Sequence, residues 1–290
     1  MTILTCKCDG CHYIYQLKIL PLKDALNQYN LINKKMKILC PFDFSNAANN
    51  GVEYASNLAR SINAKLTLLN VQSLYLTEGV NLFSGGELFS AQEAKLSIRK
   101  MNEICNDINK TYNISCDNEI ISSLNSFENI ISDESGNYNL IVMGTNGADN
   151  FSQFYFGSHS YTVAKKTVGP ILIVPDDCTF KGINKIVFAS DYKAGDELFL
   201  THLKEFNGAF LPELKIIHLS ENDTPVSEQN YKLFCILTEK ALNYTSKISF
   251  ERIIDKNEAA AIEGFVNKTK ADMLAVSWIK HGFIYDITHE

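Results

Sequence analysis

Gly144, Gly147, Gly157 and Ser158 follow the spacing Gly-x2-Gly-x9-Gly-Ser. They come just after the apolar run Leu140-Ile141-Val142-Met143 and open onto a helical stretch. Glycine lacks a Cβ, so it tolerates positive φ and lets backbone N–H groups approach phosphate oxygens closely. A helix beginning at Ser158 adds unsatisfied N–H groups and a positive dipole end. The Ser158 hydroxyl can donate to phosphate or cap the helix. This pattern points to a phosphorylated ligand held without a Walker loop. The plainer alternative is a glycine turn kept for structure alone.

A second group with metal or haem chemistry lies at the N-terminus, where Cys6, Cys8, Cys11 and His12 cluster. Cys8-Asp9-Gly10-Cys11-His12 matches the C-x-x-C-H attachment pattern of c-type haem. Thiolate and imidazole also suit zinc. One-residue spacing and the lack of a second ligand pair weaken both ideas, so a plain extension is expected. Ser158 and His159 are neighbours in sequence, and successive helix residues point in different directions, so they make no catalytic pair. No H-E-x-x-H, Walker or kinase motif appears.

The chain has 290 residues, 46% hydrophobic and 21% charged, enough for two domains of roughly 140 residues. A net charge of −6 argues against a duplex DNA partner, which needs a basic face. No apolar run approaches the ~18–20 residues that span a bilayer. Residues 1–15 carry Lys7 and Asp9 and do not resemble a signal peptide. The expectation is a cytoplasmic protein with neither membrane nor nucleic-acid partners. Its eight cysteines are then reduced, and most sit singly in apolar segments as small buried hydrophobes.

The elements that must position the glycine loop alternate in type. Residues 37–41 read as a strand that stops at Pro41. In 46–62, Ala48, Val52, Ala55, Leu58, Ala59 and Ile62 share one helical face. Strands follow at 66–71, 114–122, 140–143 and 171–174, with helices at 88–110, 126–134 and 158–167 between them. Runs apolar on both faces imply buried parallel strands with helical crossovers, hence an α/β doubly wound sheet. The pattern then restarts after a linker at 177–182. Strands at 186–191, 214–219, 248–254 and 273–277, with helices at 226–245 and 257–269, repeat the first unit at a period of about 148 residues, from Asp43 to Asp191. Only 14 residues follow Val276, too few for a last helix and strand. Met36 stands just before the first strand. Residues 1–35 therefore read as an extension, non-native if translation begins at Met36, with a helical piece near 22–32.

Taken together, Pro41-x-Asp43, Asn70-Val71, the glycine motif and Ile171-Leu172-Ile173-Val174-Pro175 resemble the universal stress protein family in its ATP-binding subclass. The resemblance covers 36–176 strongly and 183–290 weakly. It implies two tandem five-stranded parallel sheets of order 3-2-1-4-5, the second lacking its last helix and strand. It implies a regulatory protein of the stress response that binds ATP, ADP or AMP. A slow ATPase or a scaffold with a vestigial pocket are the alternatives. By resemblance, Pro41, Phe42 and Asp43 line the adenine and ribose side and Val71 meets the base. Met143 and Gly144 follow, and Gly147, Gly157 and Ser158 hold the phosphates, with His159 in the first turn. From the residues alone, Asp43 could equally cap a helix and Val71 could simply pack.

Three departures shape the expectation. Residues 144–158 contain no Lys or Arg, and Asp149 puts a carboxylate near the phosphates, so binding should be modest or Mg²⁺-dependent. Phe42 is larger than the small residue expected there. In the second copy, Ser277-Trp278-Ile279-Lys280-His281-Gly282 replaces the glycine loop, so no nucleotide is expected in it. Without a fifth strand in that copy, the edge at 171–174 should stay open and drive self-association.

Overall fold

The computed structural model describes residues 2–6, 35–73, 86–146, 158–167, 169–190, 212–220, 225–242 and 247–277. Cys8 to His12, the expected helix near 22–32, Gly147, Gly157, Asp191 and the 278–282 segment lie outside the described residues.

The first unit is built from β2 (Lys37–Pro41), α1 (Asn46–Ser61), β3 (Lys65–Ser73), α2 (Gly86–Tyr112), β4 (Ser115–Ser123), α3 (Phe127–Glu134), β5 (Leu140–Thr145), α4 (Ser158–Lys166) and β6 (Ile171–Pro175). Its strands pair in the order β4-β3-β2-β5-β6, all parallel. In chain order this is 3-2-1-4-5. Alternation along β2 explains the two layers. Ile38 and Cys40 face a cluster with α1 and α2, including Ala55, Leu58 and Met101. Leu39 faces the opposite cluster with Ile130 and Ile131 of α3 and Val163 and Ala164 of α4. Both faces of the strand are buried, which is why its sequence is apolar without a break.

The second unit has β7 (Lys185–Ser190), β8 (Glu213–Ser220), α5 (Pro225–Leu242), β9 (Ile248–Ile254), α6 (Glu258–Thr269) and β10 (Met273–Ser277). Its order is β9-β8-β7-β10, again parallel. It repeats 3-2-1-4 and has no fifth strand among the described residues. The residues between β6 and β7 are packed down. Asn50 of α1 donates through Nδ2 to the Pro175 and Cys178 carbonyls at 2.7 and 3.1 Å. Phe180 meets Tyr54 edge-on, ring centroids 5.1 Å apart.

One expectation is overturned. The edge of β6 is not open. Strand β1 (Thr2–Cys6) pairs parallel with it, Ile3 to Thr5 against Ile171 to Ile173. On its other side β1 pairs antiparallel with β10, Thr2 to Cys6 against Ser277 to Met273. The two units therefore form one ten-stranded sheet through β1. Expecting an open edge assumed that only residues downstream of β10 could fill the gap. Any extended five-residue segment that reaches the gap can satisfy both edges, and Thr2-Ile3-Leu4-Thr5-Cys6 does. The premise for self-association through 171–174 is thus absent in the intact chain.

Cys40, Cys105 and Cys116 are buried free thiols, and Cys178 is buried as well, as expected of small hydrophobes. Cys105 of α2 and Cys116 of β4 touch, with sulfurs 3.2 Å apart. Asn109 fastens the same junction, accepting from the Cys116 N–H at 2.6 Å.

Candidate functional site

The turn after β2 is held by β3. The Phe42 N–H donates to the Leu69 carbonyl at 2.8 Å. Asn70, buried, donates through Nδ2 to the Phe42 carbonyl at 2.7 Å. Both polar groups of one residue are thereby fixed. The exposed Asp43 carboxylate then accepts the Ser45 N–H at 3.0 Å. Ser45, not Asp43, is the N-cap of α1, accepting from the Ala48 N–H at 3.2 Å. Between them Phe44 takes φ of 67°, a left-handed conformation that costs a non-glycine residue about 1 kcal/mol or more. Its ring lies 4.9 Å from that of Phe42, and Lys100 Nζ sits 5.9 Å from its centroid.

Gly144 is the last but one residue of β5, on the face that α1 covers, two residues after Val142 of the same layer. A Cβ at Gly144 would stand 1.9 Å from the Ala47 carbonyl oxygen. A Cβ at Gly51 would stand 2.7 Å from the Gly144 nitrogen. The helix crosses the strand backbone to backbone, and only paired glycines permit it. The glycine at 144 is therefore required by packing, whatever else it does.

Helix α4 begins at Ser158, and His159 in its first turn reaches across to α3. Its Nδ1 lies 2.6 Å from Oε1 of Glu128. Burial pushes the Glu128 carboxyl up, but the bond from His159, its own backbone N–H, the bond from Ser126 and the His159 charge together outweigh it and hold the group below the usual carboxylate value. Phe127 lies edge-on to the His159 ring at 6.3 Å. Lys166 Nζ donates to Asn129 at 2.6 Å, and Ser132 Oγ to the Lys166 carbonyl at 2.9 Å, so both ends of α4 are tied to α3.

These parts surround a cavity of about 440 Å³. That lies within the ~300–1,000 Å³ of small-molecule sites. Pro41, Phe42, Asp43, Met143, Gly144 and His159 line it. Val71 does not; it packs against the core cluster that contains Leu69 and Met143. Ser158 opens α4 beside the lining residues His159 and Ser160. Thr145 and Asn146, within the glycine loop, line the cavity too, as do Ser45, Phe127 and Ser160, which the sequence did not single out. Phe127 and Glu128 carry no local signal, because they reach His159 only through the packing of α3 on α4.

The cavity lies where the ends of β2 and β5 part. From β2 the chain crosses to β3 on one side, and from β5 to β6 on the other. Ligands settle at such a switch point in open α/β sheets. Two helix N-termini flank it, those of α1 and α4, and both favour an anion. Among the described residues no Lys or Arg lines it, while Asp43 does. Among the described lining residues it is thus backbone and helix ends, rather than side-chain cations, that favour an anion. Among the described residues, no three His, Cys, Asp or Glu side chains stand close enough to hold a metal ion.

The model of the Universal stress protein family matches residues 35–175. Residues 35–175 are a universal stress protein domain. A universal stress protein from Archaeoglobus fulgidus DSM 4304 is similar over both units. It is 18% identical, with a TM-score of 0.63, covering 86% of this chain and 100% of that one. This likeness shows a shared tandem fold. UspA from Lactobacillus plantarum is 24% identical over 49% of this chain and 99% of its own, with a TM-score of 0.38. A universal stress protein family member from Arabidopsis thaliana, solved with AMP bound, is 16% identical over 48% of this chain and 91% of its own, with a TM-score of 0.35. Among curated proteins none matches the chain. No helix among the described residues is long and apolar enough to cross a membrane.

Proposed function

We propose that the first unit is an adenine-nucleotide-binding regulatory domain acting in the cytoplasmic stress response. The observation that carries this is the cavity at the β2/β5 switch point, open to two helix N-termini, within a universal stress protein domain. In this reading Pro41, Phe42 and Asp43 meet the nucleoside. Gly147, Gly157 and the α4 N-terminus at Ser158 meet the phosphates. With no cation among the described lining residues, AMP and ADP bind at least as well as free ATP, and Mg²⁺ favours ATP by offsetting Asp43 and Asp149. The nucleotide regulates by binding one arrangement of the two units more tightly than another.

The test is calorimetric titration with AMP, ADP and ATP, each with and without Mg²⁺, beside thermal melting. Ligand at ~100 times its Kd stabilises the folded state by about 2.7 kcal/mol. Asp43→Ala should alter the Mg²⁺ dependence, because it removes a carboxylate from the lining. Absence of both heat and a melting shift at millimolar nucleotide would leave the cavity without this role.

The Glu128–His159 pair favours a second reading, slow hydrolysis. Glu128 holds Nδ1, which leaves Nε2 of His159 able to take a proton from an attacking water at the cavity edge. Steady-state phosphate release that disappears in His159→Ala, with binding retained, would establish it. No turnover above the buffer rate would leave a binding domain alone.

A further inference from the structure

We propose that residues 2–6 form a self-supplied latch strand that keeps the β6 and β10 edges from pairing with a second copy of this chain. The argument begins with strand direction. β1 is parallel to β6 and antiparallel to β10, so β6 and β10 run opposite to each other with one strand's width between them. Two strand spacings, about 10 Å, separate their backbones. The second unit's own fifth strand would run parallel to β10 and antiparallel to β6. β1 fills the same position with the opposite direction.

Among the described residues, strands β2–β6 and strands β7–β10 are joined in the sheet through β1. Leu4 is bracketed by Leu172 and Ala275, and Thr5 by Ile173 and Leu274. Those edges belong to apolar, buried strands: Ile171 to Val174 on one side and Met273 to Val276 on the other. Without β1, both would present rows of unpaired N–H and C=O groups, which recruit another strand. β1 is suited to leave. It has five residues, only three of which pair with β6. Its departure breaks no crossover in either unit. The exposed edges are identical in every copy, so the partner they select is this chain itself, through a twofold contact.

The test compares the full chain with a full-length Ile3→Pro/Leu4→Pro variant, in which two successive strand N–H groups are lost. Light scattering should report a monomer of 32.6 kDa for the parent and twice that mass for the variant. A synthetic peptide of residues 1–8 should return the variant to monomer. A dimeric parent would overturn the proposal, as would a folded, monomeric variant whose β6 and β10 have closed directly on each other. A variant dimer indifferent to the peptide would do so too. Should the variant fail to fold, hydrogen exchange on the parent decides. Slow exchange at residues 3–5, matched to 171–173 and 274–276, supports the latch, and free exchange at 3–5 refutes it.

Discussion

Gly144→Ala is the substitution that separates packing from ligand contact at the glycine loop. Its new Cβ would lie 1.9 Å from the Ala47 carbonyl oxygen and 2.6 Å from the carbonyl carbon. Real Cβ contacts stop near 3.0 Å, so α1 must withdraw by at least about 1.1 Å at its first turn. The helix is poorly placed to yield. Ser45 caps it, Asn50 bonds the Pro175 and Cys178 carbonyls, and Val52, Ala55 and Leu58 are buried beneath it. Overpacking against backbone belongs at the top of the usual range, about 3 kcal/mol. That corresponds to a fall in Tm of roughly 6–12 °C. Urea unfolding followed by circular dichroism should show a lower midpoint with an unchanged slope. Gly51→Ala, which meets the Gly144 nitrogen at 2.7 Å, should also destabilise, and the double variant should fall short of the sum. Gly264→Ala is the control. It is exposed in α6 with nothing within 4 Å, and should stabilise by about 0.5–1 kcal/mol. A Gly144→Ala protein as stable as the parent that binds no nucleotide would refute the packing account and return Gly144 to the ligand.

Asn70→Ala leaves the Phe42 carbonyl without its buried donor and should destabilise by about 1–2 kcal/mol in chemical denaturation. Because the turn it holds also carries Asp43, nucleotide affinity measured by calorimetry should fall in the same variant, while Asn109→Ala, at the far Cys105–Cys116 junction, should lower stability without touching affinity. Glu213 gives a pH prediction. Burial raises its carboxyl, but Lys215 at 3.0 Å and Lys247 at 3.3 Å outweigh that and hold it below the usual value. A depressed folded value means the stabilisation is complete above the unfolded pKa, about 4.3, and is lost as pH falls through the folded one. The Tm of Glu213→Gln should therefore decline less than the parent's between roughly pH 5 and 3, and equal slopes would remove Glu213 from the acid transition.

What the sequence could disclose depended on the range of each interaction. β2 was legible because Ile38, Leu39 and Cys40 are apolar on both faces, and α1 because its buried residues keep helical spacing. The end of β2 was visible in Pro41. The repeat made the order of the second unit follow from the first. The roles inside the site were less accessible. Gly144 is a glycine because a helix far along the fold passes over it, and no local pattern separates that from a phosphate turn. Asp43 and Ser45 are both good capping residues, and only the Ala48 N–H direction assigns the cap to Ser45. Glu128 joins His159 across 31 positions, a pairing visible only once α3 lies on α4. β1 was the largest omission. Five residues beside a cysteine cluster carry no sign that their partners are near 172 and 275.

The place of β1 also sets an order of events during synthesis. β1 leaves the ribosome long before its partner β10, and the two pair Cys6 with Met273 and Thr2 with Ser277. At ~5–20 residues per second, the interval between making the two is tens of seconds. For that time the N-terminal segment has only half of its eventual berth, the β6 edge, and β6 itself is complete long before β10. The first unit can therefore mature alone, while closure of the whole sheet waits for the final strand. Closing so long a loop is slow but entropically only slightly worse than closing a short one. Nascent chains crowded on one messenger would meet one another with the β6 edge half guarded, which makes translation the moment when copies of this protein are most open to one another.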